Sequence, residues 1–167
     1  MTEYTVGVLT LSDKGARGER EDTSGAMLKE LFSGLEGYTV VLYLVIADNQ
    51  SLIRTTLSRW VDEENVDLII TTGGTGVSPS DQTPEATRTV IDREVPGLSE
   101  AMRQASLAKT VQAVWSRGIA GIRKESLIIN LPGSEKAARE NIEAVLPALS
   151  HGLYKLKGGD ADCGVSV

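Results

Sequence analysis

Leu68-Ile69-Ile70-Thr71-Thr72-Gly73-Gly74-Thr75-Gly76 is the stretch on which the fold turns. Its first five residues are apolar or β-branched, with no in/out alternation. That suits a short strand covered on both faces, the condition of a parallel sheet. Glycines follow at once, so the chain leaves the strand in a tight turn whose backbone can come close to a ligand. Upstream, Val6-Gly7-Val8-Leu9-Thr10-Leu11 reads as a first buried strand and Thr39 to Ile46 as a second.

Helical spacings lie between these strands. Ala26, Leu28, Leu31 and Phe32 follow the N-cap cluster Asp22-Thr23-Ser24. Leu52, Ile53, Leu57, Trp60 and Val61 form a second stripe. Thr83-Pro84-Glu85 predicts a helix start with Thr as cap and Pro in the first turn. Pro96-Gly97 ends that helix, and another runs from about Leu98 to Ala108. Ile119 to Arg123 and Leu127 to Leu131 read as two strands joined by the turn Lys124-Glu125, an antiparallel addition. A last helix starts at Ser134, with Pro147 expected to kink or interrupt it. The expected fold is therefore α/β, a three-layer α/β/α sandwich with a mostly parallel sheet and one antiparallel strand. It forms one domain over residues 1–157, followed by a mobile tail over 158–167.

Composition narrows the chemistry. The chain has 167 residues, 41% hydrophobic and 24% charged, as in ordinary globular domains. Seventeen Lys and Arg stand against 23 Asp and Glu, a net charge of -6 that argues against binding nucleic acid or an anionic membrane. One His and one Cys exclude a disulfide framework and a Cys/His metal cluster. His151, near a helix C-terminus, reads as a structural or exposed group, and Cys163, in the polar Gly-rich tail, as a free thiol. No stretch is long and apolar enough to span a bilayer, and no signal-peptide pattern opens the chain, so a cytoplasmic protein is expected.

Ligands of open α/β sheets bind at the carboxyl ends of the strands, and the polar motifs fall there. Thr72, Gly73, Gly74, Thr75 and Gly76 can cradle phosphate with amides and hydroxyls, without the Lys of a Walker loop or the dinucleotide fingerprint. Asp81 precedes a helix start, as an accessory cap or as a Mg²⁺ carboxylate beside bound phosphates. Asp48 follows the second strand, as the N-cap of the Trp60 helix or as a second carboxylate facing the same ligand. Ser12, Asp13 and Lys14 end the first strand. Pro132, Gly133 and Ser134 form a strand-to-helix turn that favours anions or simply caps the helix. Ser116 and Arg117 bring one cation within reach of the site, or Arg117 is an ordinary surface charge. The stripe Leu98, Met102, Ala105 reads as core or subunit contact.

Thr10 to Lys14, Asp22-x-Ser24-Gly25, Thr72 to Gly76 followed by Asp81-x-Thr83-Pro84-Glu85-Ala86-Thr87, and Ile128 to Ser134 together resemble the molybdopterin adenylyltransferase family of molybdenum cofactor biosynthesis, which includes the gephyrin-type domain. The resemblance spans about Val6 to Leu156. It implies a usually trimeric protein that transfers AMP from ATP to molybdopterin with Mg²⁺ and releases pyrophosphate. It also admits transient contact with the molybdenum-insertion enzyme. It assigns metal and catalysis to Asp48 and Asp81. It assigns nucleotide and phosphate binding to the Thr75 loop, and places Ser116, Arg117, Gly133 and Ser134 on the pterin and phosphate side. Ser80 stands where many members carry Arg, so Arg117, Lys14 or a neighbouring subunit would have to compensate. A molybdopterin carrier with little transferase activity and an enzyme acting on another nucleotide remain as alternatives.

Overall fold

The computed structural model describes residues 3–160. Cys163 and the rest of the tail beyond residue 160 lie outside the described residues. Among the described residues six strands, β1 (Tyr4–Leu11), β2 (Tyr38–Ile46), β3 (Leu68–Thr72), β4 (Arg93–Glu94), β5 (Ala120–Arg123) and β6 (Ser126–Leu131), form one sheet in the order β2-β1-β3-β6-β5-β4. β1, β2, β3 and β6 pair in parallel. β5 runs against both its neighbours. The mostly parallel sheet with one antiparallel strand is thus as expected from the sequence. The two-residue β4 has no counterpart in the sequence reading, because a segment that short carries no periodicity.

Six helices of the described residues accompany the sheet: α1 (Asp13–Ala16), α2 (Thr23–Ser33), α3 (Gln50–Asp62), α4 (Thr83–Arg88), α5 (Pro96–Leu107) and α6 (Glu135–Leu156), with a 3-10 turn over Val111–Trp115. Successive strand residues point to opposite faces, and two cores result. Val6, Val8, Leu68, Ile70, Leu127 and Ile129 pack with Leu28 and Phe32 of α2, Met102 of α5, and Ile142 and Leu149 of α6. Leu9, Leu11, Ile69 and Ile128 pack on the other side with Ile53, Leu57 and Trp60 of α3 and Ala86 of α4. Gly7 makes room for Trp60: a Cβ there would sit 2.8 Å from the indole ring. Each large side chain buried this way contributes roughly 1.5–3 kcal/mol.

Four expectations change or narrow in the structure. The helix that starts at Thr83 ends at Arg88, and Pro96 opens α5 rather than ending α4. β2 is not covered on both faces; as the edge strand it leaves Val41, Tyr43 and Leu44 exposed. Of the two effects expected of Pro147, interruption does not occur: α6 continues through it. Pro147 lacks the N–H that would bond the carbonyl of Glu143, but both residues are exposed, so water can take that bond. Thr83 does not cap α4. It is the first helical residue, and its hydroxyl donates to the Gly73 carbonyl at 3.0 Å.

At the end of the sheet where β1 begins, buried Asp67 accepts from the Thr5 N–H at 2.8 Å and from the Thr5 hydroxyl at 2.9 Å. Lys157, just past α6, reaches the same carboxylate at 2.5 Å. The last turn of α6 is thereby fastened to the sheet at the end remote from the glycine loop.

Candidate active site

The chain runs from β1 outward to β2 and returns past β1 to β3, so the sheet order reverses between β1 and β3. A cleft of about 690 Å³ opens at the carboxyl ends of these strands, where such reversals place ligands. Its walls come from four segments: Thr10 to Ser12 after β1, Arg20 to Ser24 leading into α2, Thr72 to Gly74 after β3, and Gly133 to Glu135 opening α6. The N-termini of α2 and α6 therefore meet one space, which favours an anionic ligand there.

Local bonds explain this shape. Gly73 and Gly74 both have positive φ, 101° and 65°. A Cβ on Gly73 would strike the Leu11 carbonyl, and one on Gly74 would strike the Thr83 hydroxyl and the Asp48 carboxylate. The Thr72 hydroxyl donates to the Pro132 carbonyl at 2.7 Å and lies 3.3 Å from the Ser24 hydroxyl. Gly133 approaches Gly73 closely; a Cβ there would be 3.2 Å from the Gly73 Cα. Ser134 caps α6, accepting the Ala137 N–H at 3.2 Å, and also lines the cleft. Ser12 does the same for α1, accepting from Gly15 at 3.0 Å.

The two aspartates reach the glycine loop, Asp48 at Gly74 and Asp81 at Gly76. Asp48 does not cap α3; Asn49 does, accepting the Leu52 N–H at 3.0 Å. Asp48 Oδ1 accepts the Gln82 N–H at 3.3 Å, and its Oδ2 faces Gly74 without a hydrogen-bond donor among the described residues. Burial pushes the Asp48 carboxyl up to about 6 from its usual 3.8; the Gln82 N–H opposes this, while the charges of Asp81, Asp13 and Glu85 add to it. Asp81 Oδ2 accepts the Ser78 N–H at 2.8 Å and lies beside Gly76; its Oδ1 has no donor among the described residues. Asp81 therefore closes its own turn and does not cap α4. Each carboxylate keeps one oxygen without a donor among the described residues. Among the described residues no group of three or more His, Cys, Asp or Glu could hold a metal. The two hard oxygen donors fit Mg²⁺, which takes one or two carboxylates and completes its shell with substrate phosphates and water.

Of the sequence-derived residues, Ser12, Thr72, Gly73, Gly74, Gly133 and Ser134 line the cleft. Asp48 and Asp81 meet the loop at Gly74 and Gly76, and Asp13 accepts the Asp48 N–H at 3.0 Å. Thr75 is buried, and Gly76 joins it to the Asp81 turn. Pro132 contributes its carbonyl to Thr72. Ser116 and Arg117 lie outside the cleft and line a separate cavity of about 310 Å³ with Arg88 and Arg103.

Sequence reasoning misses Thr10, Arg20 and Asp22 as cleft residues. Asp22 Oδ1 caps α2 through Gly25 at 2.9 Å, while Oδ2 accepts from Thr10 at 2.7 Å and from Tyr43 at 2.5 Å. Burial, then the bond to Asp22, pushes the Tyr43 hydroxyl up to about 12. The Asp22-x-Ser24-Gly25 spacing carries the signal for Asp22, but a helix cap accounts for the same spacing. Arg20 has no hydrogen bond or ion pair among the described residues, and no pattern in its surroundings marks it.

Comparison with known proteins agrees with this architecture. A chain named molybdopterin adenylyltransferase from Helicobacter pylori (strain ATCC 700392 / 26695) is 45% identical over 156 residues, covering 90% of this chain and 86% of that one. The molybdenum cofactor synthesis protein cinnamon of Drosophila melanogaster is 40% identical over 154 residues; the match covers 92% of this chain and only 26% of that protein. The crystal structure of the molybdopterin biosynthesis enzyme MoaB from Thermus thermophilus superposes with a TM-score of 0.87 at 52% identity, covering 93% of this chain and 97% of the other. The family described as "Probable molybdopterin binding domain" matches residues 7–151, and the chain belongs to that family.

Proposed function

We propose that the protein is a molybdopterin adenylyltransferase of molybdenum cofactor biosynthesis. A terminal phosphate oxygen of molybdopterin attacks the α-phosphorus of ATP; the new P–O bond forms as the bond to the β-phosphate bridge breaks, and pyrophosphate leaves. The substrate itself supplies the nucleophile, so the reaction needs no Cys or His. This suits a chain whose one His, His151, is exposed on α6, remote from the cleft. Reactions of this kind depend mainly on positioning and charge neutralisation.

The observation that carries this reading is the junction at Gly74. Gly74 lines a cleft formed by glycine backbone, hydroxyls and two helix N-termini, and the Asp48 carboxylate lies directly against it. Phosphates held by the Gly73 to Gly76 backbone and the Gly133-Ser134 turn would lie next to the carboxylates. Asp48 and Asp81 would hold Mg²⁺, directly or through water, and the ion would neutralise the triphosphate and the leaving pyrophosphate. Ser12, on the cleft wall, would orient phosphate or ribose oxygens.

A homotrimer fits the apolar surface of Leu107, Val111, Val114 and Trp115, which are 46–72% exposed; soluble proteins seldom leave such groups together without a partner. No helix among the described residues is long and apolar enough to cross a membrane.

The test is pyrophosphate release from ATP with molybdopterin and Mg²⁺. Asp81→Ala is expected to lose at least about 100-fold in kcat while keeping its fold by circular dichroism. Wild-type turnover in Asp81→Ala would remove Asp81 from the mechanism. Tight molybdopterin binding by the wild type without pyrophosphate release would make it a carrier.

A further inference from the structure

Arg117 follows the 3-10 turn and precedes β5, yet its side chain works at a distance in sequence. Nε donates to the Gly76 carbonyl at 2.6 Å, and Nη2 donates to the Asp81 carbonyl at 2.8 Å. Nη1 pairs with Glu85 of α4. The Arg117 backbone N–H donates to the Thr75 carbonyl at 2.9 Å. These acceptors sit at both ends of the segment 75–81, whose middle, Val77 to Ser80, is exposed. Within the segment the Asp81 N–H donates to the Ser78 carbonyl at 2.9 Å, and the Ser78 N–H donates to the Asp81 carboxylate at 2.8 Å. The turn is closed on itself, but its orientation relative to the sheet rests on Arg117.

A phosphate ligand would offer its guanidinium to the cleft. Arg117 instead directs three N–H groups at protein oxygens and does not line the cleft. We infer that Arg117 is a positioning residue: it clamps the two ends of the 75–81 loop and so sets where the Asp81 carboxylate stands. Lysine could not do this, because a single ammonium cannot reach three divergent acceptors with the fixed fork of a guanidinium. Glu85 is the anchor at the other end of the clamp. It sits on α4, held by its Thr83 and Pro84 start against the core. The family resemblance places Arg117 on the phosphate side; the clamp gives that cation a different task, and it leaves Arg20 as the cation that lines the cleft.

The inference rests on the adenylyl-transfer reading for its kinetic consequence, though not for its structural one. The experiment compares the full-length wild type with Arg117→Lys, Arg117→Gln and Glu85→Gln. It measures kcat and KM for ATP in pyrophosphate release, and amide hydrogen exchange over 75–81. Both Arg117 variants are expected to lower kcat at least tenfold with KM for ATP changed less than twofold. Exchange of the 75–81 amides should rise at least tenfold while that of β3 stays as in the wild type. Glu85→Gln keeps the bonds to Gly76 and Asp81 and should fall between. Wild-type kcat and exchange in Arg117→Lys would overturn the clamp. So would a tenfold rise in KM for ATP with unchanged exchange, which would make Arg117 a phosphate ligand. Faster exchange in Arg117→Gln, together with a wild type that releases no pyrophosphate, would keep the clamp and overturn the transferase reading instead.

Discussion

The carboxylate of Asp13 accepts the backbone N–H of Asp48 at 3.0 Å, tying the turn after β1 to the turn after β2. The bond holds two acidic side chains close together, with Asp81 and Glu85 also near enough to act on Asp48. Such crowding is unfavourable for folding alone; a cation bound as proposed above would relieve it.

Asp48 should therefore limit stability in a pH-dependent way. Its carboxyl titrates near 6 in the folded chain and near 3.8 when unfolded, with burial as the main cause. Between these values the unfolded chain has released a proton that the folded chain keeps, so stability falls as pH rises through this window, and above it the loss is complete. Asp48→Asn is expected to be more stable than the wild type by about 1–2 kcal/mol at pH 8, a figure reduced for partial exposure. The gain should vanish below pH 4, and pyrophosphate release should be lost. Urea unfolding at both pH values checks this; equal midpoints at pH 8 would show that Asp48 carries no such penalty.

Gly74 and Gly18 both have positive φ, 65° and 73°, but different surroundings. A Cβ on Gly18 meets nothing within 4 Å, whereas one on Gly74 runs into Thr83 and Asp48. Gly18→Ala should cost only the conformational penalty of about 1 kcal/mol. Gly74→Ala should cost about 3 kcal/mol and abolish nucleotide binding. Thermal melts and ATP titration of the two variants give the comparison; similar losses in both would mean the loop can yield.

Asn130 is a buried polar link across the sheet. Its amide donates to the Thr71 and Thr87 hydroxyls at 3.0 Å each, joining β6 to β3 and α4. Asn130→Leu leaves both hydroxyls without that donor and should cost about 2–4 kcal/mol. Adding Thr71→Val and Thr87→Val should recover part of the loss, because removing all partners is less harmful than orphaning some. A triple variant no more stable than Asn130→Leu would argue that volume, not hydrogen bonding, dominates there.

Trp115→Glu tests the apolar surface. The wild type should scatter light as a trimer and the variant as a smaller species, with little change in monomer secondary structure. A wild type that is monomeric at every concentration would leave that surface for another partner.

The glycine run after β3 and the apolar strands around it are readable because burial on both faces removes alternation, and turns demand glycine. β2 misleads because an edge strand can be as apolar as a central one; only its neighbours decide its exposure. Asp48 and Asp81 are legible as candidates, but their contacts with Gly74 and Gly76 are tertiary facts. Arg117 reads as a ligand group because a lone Arg in a polar loop shows its charge, not its direction. The role of Asp22 is hidden for a similar reason: one carboxylate both caps α2 and receives two hydroxyls.

The Lys157–Asp67 pair also bears on architecture beyond this domain. Because it pins the exit of α6 beside the start of β1, positions 4 and 157 share the pole of the sheet opposite the cleft. Both positions lie remote from the cleft. The same unit can therefore be spliced into a longer protein, as in the Drosophila relative of which it matches about a quarter, without rebuilding the site.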